Sequence, residues 1–166
     1  MVSVIVALLD AVIFDIGGTI VNESAPETPV EHLVPMLLPK VAADLEYLSG
    51  LVRIGAATNT SVMTEPDVRR LLDVVGINRY FDVLVTSCDV GASKPDPTSL
   101  IVAMERLGLV EPGRILYIGD RDIDEMAAHA AGFQFAYISN DGLRASVSEW
   151  VDQWLSLRDA TVDDLV

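Results

Sequence analysis

The stretch Ala11-Val12-Ile13-Phe14-Asp15-Ile16-Gly17-Gly18-Thr19 decides the fold. Its first four residues are apolar, two of them β-branched, and show no polar alternation. That is how a strand buried on both faces reads, and an acid and a glycine pair bring it to an end. A second passage, Ile115-Leu116-Tyr117-Ile118-Gly119-Asp120-Arg121-Asp122-Ile123-Asp124, follows the same plan. Further strand-length runs at Val52–Ala57, Val83–Thr86 and Phe133–Ile138 alternate with helix-like stretches at Val41–Leu51, Glu65–Val75, Pro97–Leu107 and Ile123–Ala131. Asp96-Pro97 reads as an N-cap followed by the first helical position, and Gly76, Gly108 and Gly132 stand where helices stop. Strands alternating with helices over short connections imply right-handed crossovers. The expected fold class is therefore α/β, an open, doubly wound (Rossmann-like) parallel sheet flanked by helices.

With 166 residues, 51% of them hydrophobic and 22% charged, the chain is sized and composed for one packed domain over residues 1–166. The only long irregular segment is Asn22–Pro39, part of a flap expected over about residues 20–39. A C-terminal helix is expected over about residues 142–158, with Val147, Trp150, Val151, Trp154 and Leu155 at helical spacing. Eleven basic residues against twenty-five acidic ones leave a net charge of −14, which repels phosphate backbones and anionic lipid, so nucleic acid and membrane are not expected partners. Any phosphate site in such a field needs a divalent cation or local cationic groups. Cys88 is the single cysteine, so it forms no intrachain disulfide; it reads as a buried or idle thiol in a cytoplasmic protein. The apolar run Val2–Leu9 has no basic leader and is too short to span a bilayer.

In an open parallel sheet the ligand sits beyond the carboxyl ends of the strands. There the sequence puts Asp15, then Thr58-Asn59, then Lys94, then the acidic group Asp120, Asp122 and Asp124. One carboxylate able to act as nucleophile, one hydroxyl, one lysine and a cluster of acids suit phosphoryl transfer to a carboxylate. In that reading Asp15 attacks, a metal held by Asp15 and Asp120 neutralises oxygens, and Thr58 and Lys94 hold the remaining charge. Asp122 is equally explained as a solvated charge at a helix N-terminus.

Four motifs, Val12-Ile13-Phe14-Asp15, Thr58-Asn59, Lys94-Pro95-Asp96-Pro97 and Ile118-Gly119-Asp120 with Asp124, occur in order over about two-thirds of the chain. In these it resembles the haloacid dehalogenase superfamily, the HAD-type phosphohydrolases, and the stretch from Arg79-Tyr80-Phe81-Asp82 to Ala130-Ala131-Gly132 resembles the haloacid dehalogenase-like hydrolase branch. The resemblance implies Asp15 as the nucleophile, with Lys94 sharing in catalysis. It implies Thr58, Asn59, Lys94 and Gly18 around the phosphoryl group, and Mg²⁺ on Asp15, the Gly17 backbone carbonyl and Asp120. Asp124 is the supporting acid.

Two departures from the family pattern stand out. Most family phosphatases carry a second Asp two residues after the nucleophile, which protonates the leaving alkoxide and then activates water; here that residue is Gly17. The expected activity is accordingly a Mg²⁺-dependent phosphohydrolase that is slow on alkyl monoesters. The alternative is a catalytically impaired module that binds phosphate or protein. Dehalogenase chemistry is disfavoured by the acidic cluster, and phosphonatase chemistry by the lack of a cap lysine, since Lys40 stands at the start of a scaffold helix. The second departure is size: 43 positions separate Asp15 from Thr58 and 36 separate Thr58 from Lys94, too few for either usual cap domain. A site roofed only by the flap is open to a phosphorylated small molecule or a phosphoprotein, or to closure by a second copy in a homodimer. Arg121 and His32 are candidate substrate contacts, and His129 a helix-face residue.

Overall fold

The computed structural model describes residues 8–25 and 27–152. Five strands, β1 (Ala11–Phe14), β2 (Arg53–Thr58), β3 (Val83–Thr86), β4 (Ile115–Gly119) and β5 (Gln134–Tyr137), form one parallel sheet in the order β3-β2-β1-β4-β5. The helices are α1 (Val41–Ser49), α2 (Glu65–Val74), the single turn α3 (Ser87–Val90), α4 (Thr98–Arg106), α5 (Asp122–Ala131) and the short α6 (Leu143–Ser146). The expected strands and scaffold helices are all present, with ends displaced by one or two residues. At α4 the Asp96 carboxylate accepts from the Thr98 N–H and hydroxyl, so helical geometry begins at Thr98, one residue after Pro97.

Alternation along the strands sorts the core into two layers. Val12, Phe14, Ile54, Ala56, Leu84, Leu116 and Ile118 pack on one face with Leu45 and Leu48 of α1, Val68 and Leu72 of α2 and Leu143 of α6. Ala11, Ile13, Val85, Ile115 and Tyr117 face the other way, against Leu100 and Ala103 of α4 and Ala127 and Ala128 of α5. Helices on both faces explain why the strands read as continuous apolar runs.

The chain moves outward from β1 to β3 and then returns to the other side of β1 as β4. The crevice where the winding reverses therefore opens at the carboxyl ends of β1 and β4. Phe14 pairs in register with Ile118 and with Ala56, which brings the residues following all three strands together.

Between β1 and α1 runs the flap, a loop closed at its neck by the Val21–Leu37 antiparallel bridge and by bonds from Asn22 N to Met36 O (2.9 Å) and Leu38 N to Ile20 O (3.0 Å). Only α2 and a short 3-10 turn stand between β2 and β3. The chain after α6 turns at Val147 and is helical again from 148 to the last described residue, 152, so the expected continuous helix is interrupted; Trp154 and Leu155 lie outside the described residues. Trp150 packs against its own core and donates from Nε1 to Gln134 Oε1 at 2.6 Å. Cys88, expected to be buried or idle, is exposed on α3. No helix among the described residues is long and apolar enough to cross a membrane.

Candidate active site

Lys94 is the hub. It is 4% exposed, and its ammonium lies 2.9 Å from Asp15 Oδ1, 2.6 Å from Asp124 Oδ1 and 2.7 Å from the Tyr117 hydroxyl. Three N–H groups match these three acceptors, and the Tyr117 hydroxyl passes its own proton to Ala57 O at 2.8 Å. The Lys94 backbone is held as firmly, because the Asn59 side chain donates to its carbonyl (3.1 Å) and accepts from its N–H (2.9 Å). One buried cation thus ties the ends of β1, β2 and β4 to the first turn of α5.

The spacing Asp120 to Asp124 has a local logic. Asp124 is the third residue of α5, and its Oδ2 reaches back to accept the N–H groups of Asp120 (3.2 Å) and Arg121 (3.1 Å), capping its own helix while Oδ1 receives Lys94. Both oxygens of Asp124 are engaged. Gly119 makes room for this, since a Cβ there would collide with the Asp124 side chain. Gly18, at φ +78°, does the same for Asp120, whose carboxylate would meet any Cβ on it. The Gly18 N–H bonds Val21 O at 2.8 Å, and the residue packs against the Asp120 carboxylate beside the cleft.

Electrostatics divides the three acids. Burial raises the Asp15 carboxyl above its ordinary value, opposed by the charge of Lys94 and reinforced by that of Asp124. Asp120 is pushed up to about 6 by burial first, then by the charges of Asp15, Asp124 and Glu23. The Thr19 hydroxyl donates to its Oδ1 from 3.5 Å. Carboxylate oxygens of Asp15, Asp120 and Asp124 all lie within 4.8 Å of one another. Lys94 bonds two of these acids and leaves Asp120 outside the pairing, and its single positive charge does not offset three carboxylates, so this all-oxygen, negatively charged arrangement fits a hard divalent cation.

A cleft of about 310 Å³ opens over this cluster, lined by Asp15, Gly17, Thr58, Asn59, Lys94 and Asp124, with Glu23, Ser24 and Ala25 of the flap and Arg121 at its sides. Other sequence candidates fall elsewhere. Asp122 accepts from the Tyr137 hydroxyl at 3.1 Å, His32 is exposed on the flap away from the cleft lining, and His129 meets the edge of Phe135. Lys40 caps α1 and donates to Asp141 O. Sequence reasoning missed Tyr117 and Glu23. A hydroxyl in the middle of an otherwise aliphatic buried strand was the available signal for Tyr117, because a buried phenol needs a partner. Nothing local marks Glu23, which the flap delivers.

The fold and this site define an α/β protein that gathers acids and a lysine at the carboxyl edge of a parallel sheet. A family model described as haloacid dehalogenase-like hydrolase matches residues 29–132, a span that contains Thr58, Lys94, Asp120 and Asp124 and begins after Asp15. The chain belongs to the haloacid dehalogenase-like hydrolases. It is 39% identical over 97 residues to a phosphoglycolate phosphatase of Yersinia pestis, a match covering 58% of this chain and 40% of that protein. The chain thus spans about two-fifths of the length of such curated relatives. Among solved structures, a protein from Listeria monocytogenes serotype 4b superposes with a TM-score of 0.71 at 23% identity over 79% of each chain. A HAD phosphatase from Thermococcus onnurineus superposes at 0.62 and 24% identity, over 82% of this chain and 89% of its own. These two likenesses show the fold.

Proposed function

We propose that this protein is a phosphohydrolase of phosphorylated small molecules that works through an aspartyl-phosphate on Asp15 and requires Mg²⁺. The observation carrying this reading is the buried Asp15–Lys94–Asp124 arrangement beside the uncompensated Asp120. Burying this much charge is costly, and the arrangement is understood as one that serves a ligand. Lys94 occupies Oδ1 of Asp15, leaving Oδ2 as the attacking oxygen. Attack forms a bond from Oδ2 to phosphorus while the bond from phosphorus to the leaving oxygen breaks, and that oxygen keeps the electron pair. The Lys94 ammonium and the Thr58 hydroxyl offset charge on the transferring oxygens. Water then attacks the phosphorus, releasing orthophosphate and restoring Asp15. Asp15, Asp120 and the Gly17 carbonyl would hold Mg²⁺, with Asp124 positioning the helix turn and Lys94. When bound, the ion supplies positive charge that lets anionic carboxylate and anionic phosphate approach each other.

Gly17 brings no acid to the leaving group and no base to the water, so the loss falls on both half-reactions and is greatest for alkoxides. That supports the second reading, a site that accepts phosphate yet barely turns over. Intact-protein mass after incubation with Mg²⁺ and acetyl phosphate separates the two. A phosphoryl adduct that forms and decays, and is absent in Asp15→Asn, is the expected result; an adduct that persists supports the impaired module. No adduct, together with no binding of beryllofluoride, overturns the phosphohydrolase reading.

A further inference from the structure

Beside the catalytic cleft, under the flap, lies a second cavity of about 80 Å³. The two share Gly17, Ser24, Ala25, Thr58 and Asn59, so the cavity opens directly off the place where a phosphoryl group would sit. Apart from Asn22, its other walls are apolar, among them Val21, Leu33 and Pro35 of the flap, Met63, and Leu71 and Leu72 of α2. Among the described residues, no lysine, arginine or histidine lines it. The space is roughly half of an apolar cavity of about 150 Å³ that accepts benzene, so it takes the leading edge of one ring whose remainder lies in the adjoining cleft.

Resting on the reading of Asp15 as nucleophile, we propose that the leaving group of this enzyme is an uncharged phenolic ring seated in this cavity, making aryl phosphate monoesters its substrate class. Two independent features point the same way. A largely apolar cavity with no cation among its described lining residues favours a neutral ring and disfavours a second anionic group, which Glu23 at the cleft also repels. Gly17 cannot protonate a leaving oxygen, and a phenolate, whose conjugate acid titrates near about 10, leaves unprotonated far more readily than an alkoxide comparable with water at about 15.7. In the transfer, the Asp15 oxygen binds phosphorus, the bond from phosphorus to the aryl oxygen breaks, and the ring departs as phenolate, which then takes a proton from water.

The test compares phenyl phosphate, acetyl phosphate, phosphoglycolate and cyclohexyl phosphate with Mg²⁺, in the wild-type chain and in Leu33→Asp and Met63→Ser, which alter the cavity lining from the flap and from the segment before α2. Acetyl phosphate has a good leaving group without a ring, and cyclohexyl phosphate has a ring on a poor leaving group. We expect a KM for phenyl phosphate at least tenfold below that for phosphoglycolate. Cyclohexyl phosphate should act as a competitive inhibitor, with a calorimetric Kd within about threefold of that KM. Leu33→Asp should raise the KM for phenyl phosphate about tenfold more than that for acetyl phosphate, with Met63→Ser moving it in the same direction. If acetyl phosphate is hydrolysed through Asp15 while phenyl phosphate shows no preference, or both variants shift all substrates alike, the cavity is not the leaving-group site and the phosphohydrolase reading stands. If acetyl phosphate yields neither turnover nor an adduct on Asp15, that reading fails and the substrate class falls with it.

Discussion

Two adjacent glycines in the motif after β1 do opposite jobs. At position 17 what matters is the chemistry a side chain would bring. An added Cβ meets only Glu23 Cα at 3.9 Å, an ordinary contact, and the backbone is not left-handed. Gly17→Asp is therefore expected to fold and to raise kcat on an alkyl monoester such as glycerol phosphate by about 10²-fold, with a much smaller gain on acetyl phosphate. Steady-state kinetics on the two substrates checks this, and an unchanged alkyl rate in a folded, Mg²⁺-binding variant removes the explanation. At position 18 what matters is space. Gly18→Ala forces a left-handed residue, costing about 1–2 kcal/mol, and drives a methyl into the Asp120 carboxylate, so both the denaturation midpoint and calorimetric Mg²⁺ affinity should fall.

Among the elements, the first turn of α5 carries the most consequence, because Asp124 is at once its cap and the partner of Lys94. Asp124→Asn keeps an acceptor for the helix but removes the charge opposite a buried ammonium, and is expected to cost about 3–5 kcal/mol in urea unfolding, as losing one member of a buried pair does. Tyr117→Phe on β4 leaves Ala57 O without its shortest donor and Lys94 without one acceptor, an expected loss of about 1–3 kcal/mol. The strands and helices themselves were plain in the sequence, since runs such as Ile115–Ile118 can only be buried on both faces. Their ends were not, because carboxylates like Asp96 and Asp124 trade local hydrogen bonds that move a boundary by a residue.

For the whole molecule, the meeting of Asp15, Asp120 and Asp124 at one edge of the sheet should be visible in stability. Asp120 titrates at about 6 in the folded chain against an ordinary 3.8, and Asp15 is raised as well. A raised carboxyl means the folded state holds its proton more tightly than the unfolded state does. Stability of the metal-free protein therefore falls as pH climbs from about 4 to 6, and the contribution is gone above that window. A divalent cation binds the ionised cluster, so Mg²⁺ should flatten this slope and raise the melting temperature more at pH 7 than at pH 4.5. Thermal melts at both pH values, with Mg²⁺ and with a chelator, check it; an identical Mg²⁺ shift at the two values contradicts the assignment of Asp120 as the titrating acid.

By itself the sequence determined the parallel α/β class, the positions of five strands, and the set Asp15, Thr58, Lys94, Asp120 and Asp124, because strand period, helix stops and strand-end residues are local properties. Only the tertiary structure decided what depends on distant segments meeting. It put Lys94 between Asp15 and Asp124, joined Tyr117 to that pair, and set Gly18 close against the Asp120 carboxylate. It turned Trp150 onto its own core, and it brought the flap against α2 to enclose a largely apolar cavity beside the catalytic edge. The physical reason is that charge pairing and cavity shape are set by distances through space, which no spacing along the chain encodes.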